Sequence, residues 1–400
     1  MTRYNFDEIT NRKGTNCLKY DFTVERGKPA DVLPLWVADM DFPVSEEITK
    51  SLHAAVEHGI YGYTQPKDAY YNAVMNWMER NHNWKTEREW IVKTPGVVFA
   101  LGAAVKAFTD PGDAILIQNP VYYPFTNIIR DNDRRVVDNT LIYEKTAGQS
   151  GDNGYRIDFE DFERKLEQEH IKLFILCNPH NPVGRVWTAE ELQQLGEICL
   201  RHHVIVVSDE IHNDFVYPGY EHTVFATVDP RFAEFTVTCT APSKTFNLAG
   251  LQISNIFIPN EKLRKAFQTE IDKTGYDEPN ALGIVACEAA YRAGEDWLDQ
   301  LRAYLLKNLN FLRDFLQEKI PQIHLVEPEG TYLVWLDCSE LGITGKELDQ
   351  FIVDKAGLWL DGGSMFGPSG AAFQRVNIAC PQATLELALN KLKAAVDNLE

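Results

Sequence analysis

Four hundred residues exceed what one small domain uses and suit two. With 44% hydrophobic and 24% charged residues the chain has the make-up of a soluble globular protein, which excludes collagen-like, low-complexity and disordered readings. Its 39 Lys plus Arg against 58 Asp plus Glu leave a net charge of −19; that field repels phosphate backbones and anionic lipid, so neither nucleic acid nor a membrane is an expected partner, whereas a small anionic substrate needs only a local cation.

The N-terminal stretch alternates charge and polarity and has no apolar signal core. The most apolar segment, GVVFALGAAVKAF, is too short to cross a membrane and contains Lys106. A polar arm ends in LPLWVADMDFPV (33–44), after which Ser45 caps a predicted helix that stops at Gly59. A second helix is predicted over 67–82 and a third after the turn Thr94-Pro95-Gly96. Five β-branched runs follow: AILIQ (114–118), KLFIL (172–176), VIVVS (204–208), FTVTC (235–239) and ISNIFI (253–258), with helical stretches such as 189–202 between them. Runs without strict alternation fit strands covered on both faces, so the expected fold is α/β with a mostly parallel central sheet. From about residue 290 a long helix and then mixed pieces predict a smaller α+β C-terminal domain. The expected division is a large domain over 46–285 and a small domain formed by 286–400 with the arm 1–45. The seven cysteines form no Cys-x-x-Cys pair or zinc knuckle and read as free thiols of a reducing, cytoplasmic compartment.

In open α/β sheets ligands bind at the carboxyl ends of the strands. AILIQ is followed by Asn119-Pro120-Val121-Tyr122-Tyr123, and KLFIL by Asn178-Pro179-His180-Asn181-Pro182-Val183-Gly184. VIVVS leads into Asp209-Glu210-Ile211-His212, and FTVTC into Thr240-Ala241-Pro242-Ser243-Lys244. Four strands thus deliver ring, amide, carboxylate and amine groups to one edge. No P-loop, Gly-x-Gly-x-x-Gly or His-Glu-x-x-His occurs, so no metal is expected.

In this order the Asn-Pro-x-Asn-Pro-x-Gly stretch, Ser208-Asp209-Glu210 and Ser243-Lys244 resemble fold type I pyridoxal-phosphate (PLP) enzymes, the aminotransferase class I/II superfamily. The resemblance runs from Tyr61-Gly62-Tyr63-Thr64 through Arg375-Val376-Asn377-Ile378-Ala379. More narrowly, LWVADMDF (35–42), SDEIH (208–212) and PSKTFNLAG (242–250) are similar to the MalY/PatB-type cystathionine β-lyase (C–S lyase) subgroup.

The resemblance implies a role for each strand-end group. Lys244 carries the cofactor and moves the substrate α-proton; without this context it reads as a solvated surface lysine. Asp209 pairs with the ring nitrogen and raises its pKa by ~1–3 units; its bland alternative is a helix N-cap. Asn181 donates to the ring 3-oxygen, and His212, standing where many aminotransferases have a Tyr, either joins it or is a core histidine. Tyr122 lies on the ring face, with Tyr123 a core or rim residue. Gly96, Val97 and Val98 open a helix whose N-terminus takes the phosphate, assisted by Thr240, Ser243 and a partner subunit's tyrosine equivalent to Tyr63. Gln252 replaces an arginine that clamps the phosphate in many members. Arg375 holds the substrate α-carboxylate, or is an ordinary ion-pair residue, with Asn181 and Tyr61 also placed toward substrate. The implied activity is PLP-dependent β-elimination on L-cystathionine and related cysteine S-conjugates, giving a thiol, pyruvate and ammonia, in a homodimer with shared active sites. An aminotransferase on the same scaffold is the alternative; a regulatory, protein-binding role is the third reading.

Overall fold

The computed structural model describes residues 3–145 and 153–399. The Ser45 side chain accepts from the Ile48 amide and opens α1 (Glu46–His58). This helix ends at Gly59, whose φ of 71° is a left-handed conformation that glycine adopts without strain. α2 (Asp68–His82) buries Tyr70, Tyr71, Val74, Trp77 and Met78, and α3 (Val97–Phe108) buries Val97, Ala100, Leu101, Ala104 and Val105. Both stripes follow the helical period, so each helix has one face that must find a partner.

The partner is a seven-stranded sheet. Its strands are β1 (Ile91–Thr94), β2 (Ala114–Ile117), β3 (Arg135–Asp138), β4 (Leu173–Cys177), β5 (Ile205–Asp209), β6 (Thr236–Thr240) and β7 (Ser254–Phe257), in the order β1-β7-β6-β5-β4-β2-β3. All five β-branched runs are strands of this sheet. β7, from ISNIFI, runs antiparallel between β1 and β6, while β6, β5, β4, β2 and β3 pair in parallel. Two strands had no sequence signal. Both are edges: β1 carries Lys93 and β3 opens on exposed Arg135, so neither reads as an apolar run.

Alternate residues go to opposite faces. Ile115, Ile175, Val207 and Val237 pack with α3 and with Phe267 and Ile271 of the helix Glu261–Asp272. Leu116, Phe174, Leu176 and Val206 pack with Phe162, Leu166, Leu192 and Leu195 of the helices Phe159–Glu169 and Ala189–Arg201. A sheet covered on both sides explains why its central strands lack polar alternation.

Beyond the helix Ala281–Ala293, a 25-residue helix (Glu295–Lys319) leads into a second, antiparallel sheet. Its strands are β8 (His324–Val326), β9 (Leu333–Asp337), β10 (Asp361–Gly362) and β11 (Phe373–Asn377), in the order β8-β9-β11-β10. The N-terminal arm is strapped between the two sheets by side-chain amides. Asn377 Nδ2 donates to the carbonyls of Val37 and Asp39, both at 2.6 Å, and Asn247 Nδ2 to those of Met40 and Phe42, both at 3.0 Å. Arg12 bridges Asp39 and Asp41, and the fully buried Lys19 donates to Asp41 at 2.8 Å. Among the described residues no helix is long and apolar enough to cross a membrane.

Candidate active site

The carboxyl ends of β1, β2, β4, β5 and β6 meet over the N-terminus of α3, around a cavity of about 180 Å³. Gly96, Val97, Val98, Tyr122, Asn181, Asp209, His212, Ser243 and Lys244 all line it. Side chains separated by up to about 150 positions are thus gathered in one place by the parallel topology.

Asp209 ends β5 in register with Cys177 of β4, on the same face as Val207 and so toward α3. Glu210 turns the other way, accepting from the Ser208 hydroxyl at 2.7 Å and the Phe225 amide at 3.0 Å. Asp209 is only 4% exposed and accepts one bond, from the Ile211 amide at 3.2 Å. Burial pushes its carboxyl up to about 7. Lys244 sits in the one-turn helix Pro242–Thr245. Burial, reinforced by Arg375, pushes its amine down to about 8, and Nζ donates to the Ala38 carbonyl at 2.7 Å. Burial likewise raises the Tyr122 phenol. His212 is held well below its ordinary value by burial and then by Lys244 and Arg375, and its buried Nδ1 has no hydrogen-bond partner among the described residues.

These residues fit pyridoxal phosphate. A buried carboxylate with one hydrogen bond suits a cationic ring nitrogen, and an amine with a depressed pKa suits attachment to an aldehyde. Gly96 is the N-cap of α3 and offers no capping side chain, so the first amides of that helix are left for an anion. A Cβ on Gly96 would meet no protein atom within 4 Å; glycine leaves that space to the cavity.

Arg375, on β11 of the second sheet, is not itself among the lining residues and adjoins the cavity through its bond to Asn181. It is 3% exposed and donates to Asn181 Oδ1 at 2.9 Å, to the Trp36 carbonyl at 3.0 Å and to Asp361, while its Nε has no partner among the described residues. Accepting from Arg375 turns the Asn181 NH2 group the other way, and it has no protein acceptor among the described residues.

The structure does not bring every expected residue to the cavity. Thr240 is a correction: its hydroxyl donates to the Asn255 carbonyl at 3.0 Å, so it is occupied between β6 and β7 and does not line the site. Gln252 is exposed in a left-handed turn with φ 52° and is also absent from the lining. Tyr61 and Tyr63 are 61% and 95% exposed and lie outside the cavity of their own chain.

Other contributors carried no signal in the sequence. Ala38 supplies the carbonyl that accepts from Lys244 and from Tyr332, the latter at 3.1 Å. Asp361 neutralises Arg375 across a β10–β11 pairing. Asp214, 2% exposed, accepts from Thr245, the neighbour of Lys244, at 2.6 Å and from Trp77 at 3.2 Å, and lies 3.0 Å from His82 Nε2. Burial raises the Asp214 carboxyl, but His82 and its other partners outweigh that and hold it below the ordinary value.

The chain matches the family Aminotransferase class I and II over residues 30–392. It is 46% identical over 392 residues to cystathionine beta-lyase PatB of Bacillus subtilis, covering 98% of this chain and 100% of that protein. Its structure is similar to that of cystalysin from Treponema denticola, which contains a pyridoxal 5′-phosphate cofactor, with a TM-score of 0.94 and 38% identity over 99% of this chain and 100% of the other. It is also similar to the PLP-bound C–S lyase from Staphylococcus hominis, with a TM-score of 0.90 and 36% identity over 98% of each chain. With a cavity formed at the strand ends that the family uses, and a match over nine-tenths of its length, the chain belongs to the aminotransferase class I and II family.

Proposed function

We propose that this protein is a PLP-dependent carbon–sulfur β-lyase acting on L-cystathionine and related cysteine S-conjugates. The observation that carries the enzymatic reading is the pairing, in one buried cavity under Tyr122, of a carboxyl raised to about 7 and an amine lowered to about 8. The full-length similarity to a protein named cystathionine beta-lyase turns that reading toward β-elimination rather than amino-group transfer.

When bound, PLP supplies a protonated ring that stabilises negative charge at the substrate α-carbon. Asp209 keeps that ring nitrogen protonated by opposite-charge pairing, which relieves its own burial penalty. Lys244 Nζ takes the α-proton, as its lowered pKa leaves the free amine populated near neutral pH. Arg375 holds the α-carboxylate in a fork already oriented by Asn181, Asp361 and the Trp36 carbonyl. Tyr122 and the strapped arm segment around Ala38 exclude water from the reacting carbon. Burial keeps His212 neutral where it lines the cavity. The backbone at Gly96, Val97 and Val98, with Ser243, receives the phosphate. The Cβ–S bond breaks with its electron pair on sulfur, and the overall balance is cysteine conjugate plus water to thiol, pyruvate and ammonia.

We assign the large domain to 46–285 and the small domain to 1–45 with 286–400. A homodimer completes the site. The exposed Ile60, Tyr61 and Tyr63 are apolar surface that a second copy would cover, bringing Tyr63 to the phosphate and Tyr61 to the substrate from across the two-fold. With all seven cysteines free and six of them buried, the reaction belongs in a reducing, cytoplasmic compartment.

The deciding experiment incubates the purified protein with L-cystathionine and no keto acid. Pyruvate and homocysteine form in equal amounts, and Lys244→Ala forms neither. Turnover that requires a keto-acid acceptor would make the protein an aminotransferase instead.

A further inference from the structure

Next to Arg375 lies an aromatic pair crowned by two cations. Trp359 and Asp361 are two positions apart on an extended segment, so their side chains share a face, and Asp361 is the carboxylate bound to Arg375. Trp36 stacks on Trp359, with ring centroids 4.3 Å apart and planes at 14°, while its own carbonyl accepts from Arg375. Arg26 lies over the Trp36 ring, 5.3 Å from its centroid, and Lys28 over Trp359 at 5.9 Å. The Tyr123 ring is centred 5.5 Å from that of Tyr122, and its phenol feels the charges of Asp361, Arg375 and Arg26 alike.

Two features point to a ligand here. In a chain with 58 acidic and 39 basic side chains, Arg26 and Lys28 make no ion pair among the described residues. Beside them the Trp36 indole N–H is buried and has no acceptor among the described residues. A buried donor without a partner is costly, and a cation resting on a ring face keeps its charge available to a third group.

Resting on the lyase reading above, we propose that Arg26, Lys28 and the Trp36 indole form a subsite for a carboxylate carried on the leaving thiol. The favoured substrates are then cysteine conjugates whose sulfur substituent ends in an acid, as that of L-cystathionine does. The net charge of −19 repels such substrates in general, and the two cations locally reverse that field beside the anchor for the α-carboxylate.

The test uses the holoenzyme and two conjugates of equal chain length, S-(3-carboxypropyl)-L-cysteine and S-butyl-L-cysteine, with pyruvate release as the readout. The wild type favours the acid. In Arg26→Ala/Lys28→Ala the ratio of kcat/KM for the acid to that for the butyl compound falls about fivefold, through KM, the scale of an exposed charge contact. Arg26→Lys retains the preference, and raised ionic strength erodes it in the wild type. An unchanged ratio, or equal losses on both compounds, overturns the inference while leaving the lyase reading intact. Release of pyruvate from neither compound by the wild type overturns both.

Discussion

Removing the charge of Asp209 has opposite effects on stability with and without cofactor. In the cofactor-free protein this carboxyl is 4% exposed, accepts one hydrogen bond and is raised from 3.8 to about 7. The folded chain therefore keeps its proton to higher pH than the unfolded chain. Stability that is fully present below 3.8 is lost as pH rises through about 7. A rise of that size corresponds to about 4 kcal/mol, of which about 1 kcal/mol is lost between pH 6 and 8. Relaxation and water entry make these upper bounds. Asp209→Asn cannot ionise and escapes this loss. Urea denaturation of the cofactor-free proteins should show the variant gaining on the wild type by about 1 kcal/mol from pH 6 to pH 8. With cofactor bound, the wild-type carboxylate has its cation and the order inverts, so Asp209→Asn melts below the wild type and loses kcat more than KM. A stability difference independent of pH in the cofactor-free pair, or a holoenzyme variant with wild-type kcat, would refute the pairing of Asp209 with a cationic ring.

Three further outcomes follow from the same geometry. Arg375→Lys weakens L-cystathionine binding by about 1–3 kcal/mol, because an ammonium cannot hold Asn181, the Trp36 carbonyl, Asp361 and a substrate carboxylate at once; an unaltered KM would assign the carboxylate to another cation. Asp214→Ala leaves Trp77, Thr245 and His82 without their shared acceptor and lowers unfolding free energy by about 3 kcal/mol in urea, with a cost below ~1 kcal/mol showing that the hub carries no such load. Lys244→Ala and Tyr63→Ala chains, each nearly inactive alone, regain activity when refolded together if Tyr63 serves the neighbouring site, and hybrids that form but stay inactive confine Tyr63 to its own chain.

What could be read from the sequence was what short stretches of chain decide. Each central strand is a run of β-branched residues followed at once by the side chain it delivers, so Tyr122, Asn181, Asp209 and Lys244 could be placed at one edge before any pairing was known. Thr240 shows the limit of reading residue type without orientation. Val237 and Cys239 pack toward α3, so the two-residue period sends Thr240 to the other side, where it donates to Asn255. The edge strands β1 and β3 escaped notice because one solvated flank removes the apolar run by which buried strands are recognised. The least legible features are those that tune the chemistry. The Ala38 carbonyl meets Lys244 across 206 positions, and a backbone acceptor leaves no mark in a sequence. Asp361 meets Arg375 only through strand register in the second sheet. Yet burial beneath the strap lowers the Lys244 amine toward neutrality, and Asp361 determines how much positive charge Arg375 presents to an incoming carboxylate. Local sequence therefore identifies which groups react, while their proton affinities at working pH are set by contacts between segments far apart in the chain.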